Sequence, residues 1–141
     1  MGRIIAIDYG RKRTGLAVTD TLQMIANGLT TVPSGETVGY LTNYVLNESV
    51  DFFIVGYPKQ MNNQPSENLI YVEAFVKQLN KAIPGIPVKY YDERFTSVLA
   101  QQAMIDGGLK KKKRREKGLI DEISAVLILQ NYLESTKYNK I

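Results

Sequence analysis

The chain contains no cysteine and no histidine. Without cysteine, disulfides, thiolate nucleophiles and cysteine-based zinc sites are excluded. Without histidine, the usual general base and the commonest transition-metal ligand are gone. Catalysis would have to use carboxylates, Lys, Tyr, Ser or Thr side chains, or a hard metal ion. Carboxylate oxygens suit magnesium or manganese best. Long apolar runs are missing too. None approaches the roughly 20 residues needed to cross a bilayer, so no membrane attachment is expected. The apolar run near the start, Ile4 to Ile7, is too short for a secretory signal core, and the expected location is the cytoplasm.

What is present is ordinary in amount. A chain of 141 residues has the size of one domain, expected to span residues 1–141. Its hydrophobic share of 44% and charged share of 23% are those of a globular protein. Net charge is +4 and the pI is near 9.2, which favours polyanions only weakly. The distribution says more than the total. Lys110-Lys111-Lys112-Lys113-Arg114-Arg115 gathers six of the 18 basic residues into one short segment.

Hydrophobic periodicity gives the element order. Residues 3–8 hold the continuous apolar run of a strand buried on both faces. Residues 15–20 and 25–32 read as two more strands, joined by short polar turns into an antiparallel meander. Val38, Leu41 and Val45 then recur at helical spacing over residues 37–47, and residues 51–56 form a fourth strand. Residues 65–83 give the clearest helix, with Leu69, Val72, Phe75, Val76, Leu79 and Ile83 on one stripe, Ser66 as its cap and Pro84-Gly85 as its stop. A fifth strand over 87–91, a helix over 96–106 ended by Gly107-Gly108, and a last helix over 118–134 complete the chain. A meander followed by alternating helices and strands predicts an α/β fold: a mixed sheet with helices on both faces.

Three acids fall at informative places. Asp8 ends the first strand, in the position from which such sheets present ligand-binding groups. Gly10 just after it lets backbone approach a phosphate or a metal. Glu93 follows the fifth strand, within Asp92-Glu93-Arg94. Asp121 opens the last helix, with small Ser124 and Ala125 on its face, so that helix can approach the sheet closely. Ile123, Val126, Gln130 and Leu133 form a neighbouring stripe, apolar except at Gln130. Each acid alone is accounted for by a turn or a helix cap. Together they fall on ends that this topology brings to one edge. Three converged carboxylates repel, and a divalent cation relieves the repulsion. Two such ions about 3.5–4 Å apart can drive phosphodiester hydrolysis without any histidine.

The chain resembles the YqgF/RuvX family, the pre-ribosomal-RNA nucleases also described as Holliday-junction resolvase homologues. The resemblance runs nearly end to end. It is carried by Ile7-Asp8-Tyr9-Gly10, by Thr14-Gly15-Leu16-Ala17-Val18-Thr19-Asp20, and by Val55-Gly56-Tyr57-Pro58. Asp92-Glu93-Arg94-Phe95-Thr96 and Asp121-Glu122-Ile123-Ser124-Ala125 complete it. It implies an RNase H-like fold with a five-stranded mixed sheet, and processing of the 5′ end of the small-subunit ribosomal RNA precursor. It also implies that Asp8, Glu93 and Asp121 are the catalytic, metal-binding carboxylates for one or two Mg2+ or Mn2+ ions. The chain departs from the family pattern at Tyr57 and Ser124, and strand four ends without an acid.

Basic residues supply the nucleic-acid contacts expected around that edge. Lys12 and Arg13 in the first turn, and Arg94 beside Glu93, are placed to meet phosphates. The run from Lys110 to Arg115 is expected to clamp polyanion backbone, with strong salt dependence. Tyr9 and Tyr57 are candidates for stacking on bases. The expected partner is nucleic acid, either precursor rRNA or branched DNA, bound by a monomer or weak homodimer. A four-way DNA junction resolvase is the nearest alternative function. A non-catalytic, RNA-binding ribosome-assembly factor is the alternative of another class, and an ATP-binding domain of the actin and sugar-kinase type is a third.

Overall fold

In the computed structural model, residues 2–57, 69–92 and 117–138 are described. Three strands come first: β1 (Arg3–Tyr9), β2 (Arg13–Thr19) and β3 (Ala26–Pro33). A 3₁₀ turn, Ser34–Glu36, leads into α1 (Thr37–Asn47), followed by β4 (Val50–Tyr57), α2 (Leu69–Ala82), β5 (Val88–Asp92) and α3 (Lys117–Tyr138). The strands form one sheet in the order β3-β2-β1-β4-β5. β1 pairs antiparallel with β2 and parallel with β4, while β2–β3 is antiparallel and β4–β5 parallel. The expected α/β mixed sheet is present, and β1 lies at its centre. α1 has the ends expected from the sequence, and the strand ends differ from expectation by at most two residues. The expected Ser66 cap and the helix over 96–106 lie outside the described residues.

The alternation of side chains along each strand decides which helix covers which face. Ile5, Ile7, Leu16, Val18, Phe53 and Val55 point to one side, where they meet Leu41 of α1 and Val72, Phe75, Val76 and Leu79 of α2. The stripe foreseen for α2 is the buried one. On α1 Leu41 is the fully buried apolar residue, Thr37 is buried at its start, and Val38 and Val45 pack at the margin. Ile4, Ala6, Ala17 and Ile54 point to the other side, against Ala125, Ile128, Leu129 and Leu133 of α3. β1 contributes to both cores, which is why its apolar run is unbroken.

α3 sits close to the sheet because both surfaces are small where they meet. Ser124 is 1% exposed and Ala125 fully buried, as the small-residue face predicted. The adjoining stripe differs from expectation. Ile123 and Val126 are only partly buried, and the buried row runs through Ala125, Ile128, Leu129 and Leu133. α3 also meets β3. A Cβ added to Gly28 would collide with the Glu122 carboxylate and stand 3.2 Å from its Cγ.

Candidate active site

Asp8 is the half-buried penultimate residue of β1. It has the same pleat parity as Ile4 and Ala6 and therefore lies on the face covered by α3. Its partner on β2 is Gly15. On the other side Ile7 pairs with Val55, so the next position of β4 beside Asp8 is Gly56. The carboxylate is thus flanked by a glycine on each neighbouring strand. Neither of those two flanking positions carries a side chain. Gly56 itself pairs with Tyr91, and Tyr57 with Asp92 at the end of β5.

The C-terminal ends of β1, β4 and β5 therefore lie side by side. Asp92 is the last described residue of β5, and Glu93 and Arg94, immediately after it, fall outside the described residues. Asp121 belongs to the early part of α3, one turn before Ala125, which is buried against the face that carries Asp8. Of the three acids, Asp8 is the one whose side chain is described. Among the described residues no group of three or more metal-ligating side chains occurs. Lys110, Lys111, Lys112, Lys113, Arg114 and Arg115 also lie outside them.

The turn after Asp8 is tightly constructed. Gly10 N–H donates to the Arg13 carbonyl at 3.0 Å, closing it. A Cβ at Gly10 would stand 2.6 Å from that same oxygen, so only glycine fits. Lys12 is exposed in the turn, and Arg13, the first residue of β2, is partly buried. Ser34 grips the turn from outside, a role the sequence reading missed. Its N–H donates to the Lys12 carbonyl at 3.0 Å and its hydroxyl to the Gly10 carbonyl. Arg11 lies over the Tyr71 ring of α2, 4.8 Å from the centroid.

Aromatic side chains crowd the other face of this edge. Tyr9 stacks on Phe75 at 4.5 Å between ring centroids, which fixes it as a packing residue of the α2 layer. Tyr57 meets Tyr90 edge-on at 5.3 Å. Partial burial, with Glu73 and Tyr57 nearby, pushes the Tyr90 phenol above its ordinary pKa. It therefore stays neutral at physiological pH.

Residues 2–135 match the family model described as RuvX, Holliday junction resolvase. A relative from Parabacteroides distasonis is 73% identical over 138 residues, 98% of this chain and 99% of its own length. One from Phocaeicola vulgatus is 65% identical over 138 residues, again 98% and 99% of the two chains. Both carry the name pre-16S rRNA nuclease. Among solved structures, Thermus thermophilus RuvC in complex with a Holliday junction substrate superposes with a TM-score of 0.59. It is 19% identical, and 96% of each chain is covered. At that identity the likeness concerns the fold, which is RNase H-like as the resemblance implied.

Proposed function

The chain belongs to the RuvX family, and from that premise we propose that it is a metal-dependent phosphodiester hydrolase trimming the 5′ end of pre-16S rRNA. The observation that carries this reading is the placement of Asp8: half-buried, at the C-terminal edge of the central strand, between two glycines. β5, two strands from β1, ends one residue before Glu93, and α3, the helix that contains Asp121, packs on the face that carries Asp8.

The donor chemistry suits a hard cation. A chain without His or Cys offers oxygen ligands, and those are what Mg2+ and Mn2+ take. Asp8, Glu93 and Asp121 would hold one or two such ions. When bound, a divalent cation lowers the pKa of water and offsets charge on the scissile phosphate. The protein's own part is to hold the carboxylates ionised and convergent, and to grip phosphates on either side. Gly10 backbone, Lys12, Arg13, Arg94 and the residues Lys110 to Arg115 serve the second purpose. Hydrolysis then adds water across one P–O bond. The whole machinery fits one domain, residues 1–141, acting in the cytoplasm as a monomer or weak homodimer.

Four-way junction cleavage is the second reading, favoured by the description of the matching family model. It needs two active sites cutting opposed strands, hence a dimer in solution. The deciding experiment incubates the purified chain with 5′-extended precursor RNA or with junction DNA, in Mg2+ or Mn2+. The expected result is trimming of the RNA, abolished by Asp8→Asn or Glu93→Gln with the melting temperature kept or raised. Junction cleavage by a dimer, with the RNA untouched, would select the second reading. Equal activity in the wild type and both variants would remove both.

A further inference from the structure

We propose that Ser34, with Thr14 behind it, is a positioning residue that sets the phosphate-binding shape of the turn following Asp8. The proposal rests on the nuclease reading and goes beyond it to a residue outside the carboxylate trio and the cationic groups.

Ser34 stands 20 residues downstream of Thr14 and begins the 3₁₀ turn that leads into α1. Its single hydroxyl proton goes to the Gly10 carbonyl. The 2.9 Å contact between Ser34 Oγ and Thr14 Oγ1 must then be donated by Thr14. The Ser34 peptide N–H meanwhile takes the Lys12 carbonyl at 3.0 Å. One residue therefore holds the carbonyls on both limbs of the turn, while the Gly10–Arg13 hydrogen bond closes it from within. Thr14 is 0% exposed and Ser34 7%, so water does not replace these partners when they are removed.

The clamp touches the turn and not the carboxylate. Asp8 is held by the strand ladder through its pairing with Gly15. The clamp instead fixes the backbone around Lys12 and Arg13, the cations to which the nuclease reading assigns phosphate contacts. A residue that only supports the fold, when lost, lowers the melting temperature and the active fraction and leaves KM as it was. A residue that orients phosphate-binding groups raises KM with kcat nearly unchanged.

The test compares wild type with Ser34→Ala, Thr14→Val and Thr14→Ser on 5′-extended precursor RNA. Binding of the same RNA is followed separately by fluorescence anisotropy without divalent metal. Ser34→Ala is expected to raise KM and Kd about tenfold, the loss of a phosphate contact or two, with kcat within about threefold. Thr14→Val, which leaves the bond to Gly10 in place, should give a smaller rise, and Thr14→Ser should restore wild-type values. Unchanged KM and Kd in Ser34→Ala, or a fall in kcat alone, overturns the proposal. If Ser34→Ala does not fold, a Thr14→Val protein with unchanged Kd overturns it equally. A wild type that binds the RNA and never cleaves it would refute the nuclease reading, and the Kd comparison would still decide this one.

Discussion

Ser124 carries its hydroxyl into a place that offers no partner among the described residues. The side chain is 1% exposed, and its Oγ makes no hydrogen bond to any of them. A buried hydroxyl without a partner costs about 1–3 kcal/mol of desolvation. Ser124→Ala keeps the small face that lets α3 approach the sheet and removes that cost. The expected outcome is a gain of about 1 kcal/mol, read as a rise of about 2–4 °C in melting temperature. A fall would mean that the hydroxyl has a bound partner in solution. At this scale the sequence was legible where a residue's position along its own element matters. Asp8 was recognised as a strand end, and Ser124 and Ala125 as a close-packing pair. Ser34 was not recognised, because its partners lie in a turn more than 20 residues away that only folding brings near. The two glycines beside Asp8 are visible as letters, but their pairing depends on strand register.

Between elements, α3 meets β3 where Glu122 lies against Gly28. Glu122 follows Asp121 and packs across Gly28, so any side chain at Gly28 pushes on the segment that carries Asp121. In the parent, Gly28→Ala pushes the flexible end of Glu122 out of its rotamer at this exposed strand position, at about 0.5–1.5 kcal/mol. With Glu122→Ala already in place, the obstruction is gone. The same Gly28→Ala change should then stabilise by about 0.4–1 kcal/mol, because alanine restricts the unfolded chain. A double-mutant cycle on melting free energies checks this reversal of sign. Equal effects in both backgrounds would show that Glu122 does not pack on β3. Helix existence was legible from periodicity, since the α2 stripe needs only a 3.6-residue repeat. The buried face of α3 was less so. Its apolar residues occur nearly all round the helix over residues 123–133, and the sheet selects the row that meets Ala6, Ala17 and Ile54.

For the molecule as a whole, the order of strands made the sheet type legible. Three strands joined by short turns pair antiparallel, and those reached through helices pair parallel, which places β1 in the middle. The carboxyl ends of β1, β4 and β5 then share one edge, an arrangement that carries no local signal in the sequence. Charge is distributed on the same logic: net +4 overall, with six cations in residues 110–115 and three more, Arg11, Lys12 and Arg13, in the turn beside Asp8. Such an arrangement separates binding from chemistry. Each cation that displaces a counterion from single-stranded nucleic acid adds about 0.7 to the slope of log K against log salt. Replacing Lys110, Lys111, Lys112 and Lys113 by Gln should therefore flatten the slope for precursor RNA by up to about 3. Asp8→Asn removes a negative charge at the edge and no cation, so its slope should match wild type while turnover disappears. Titrations of RNA binding across a range of salt concentrations, on wild type and both variants, read the two effects independently. A quadruple Gln variant with an unchanged slope would place those lysines away from the bound phosphates, and leave the turn held by Ser34 as the main cationic contact.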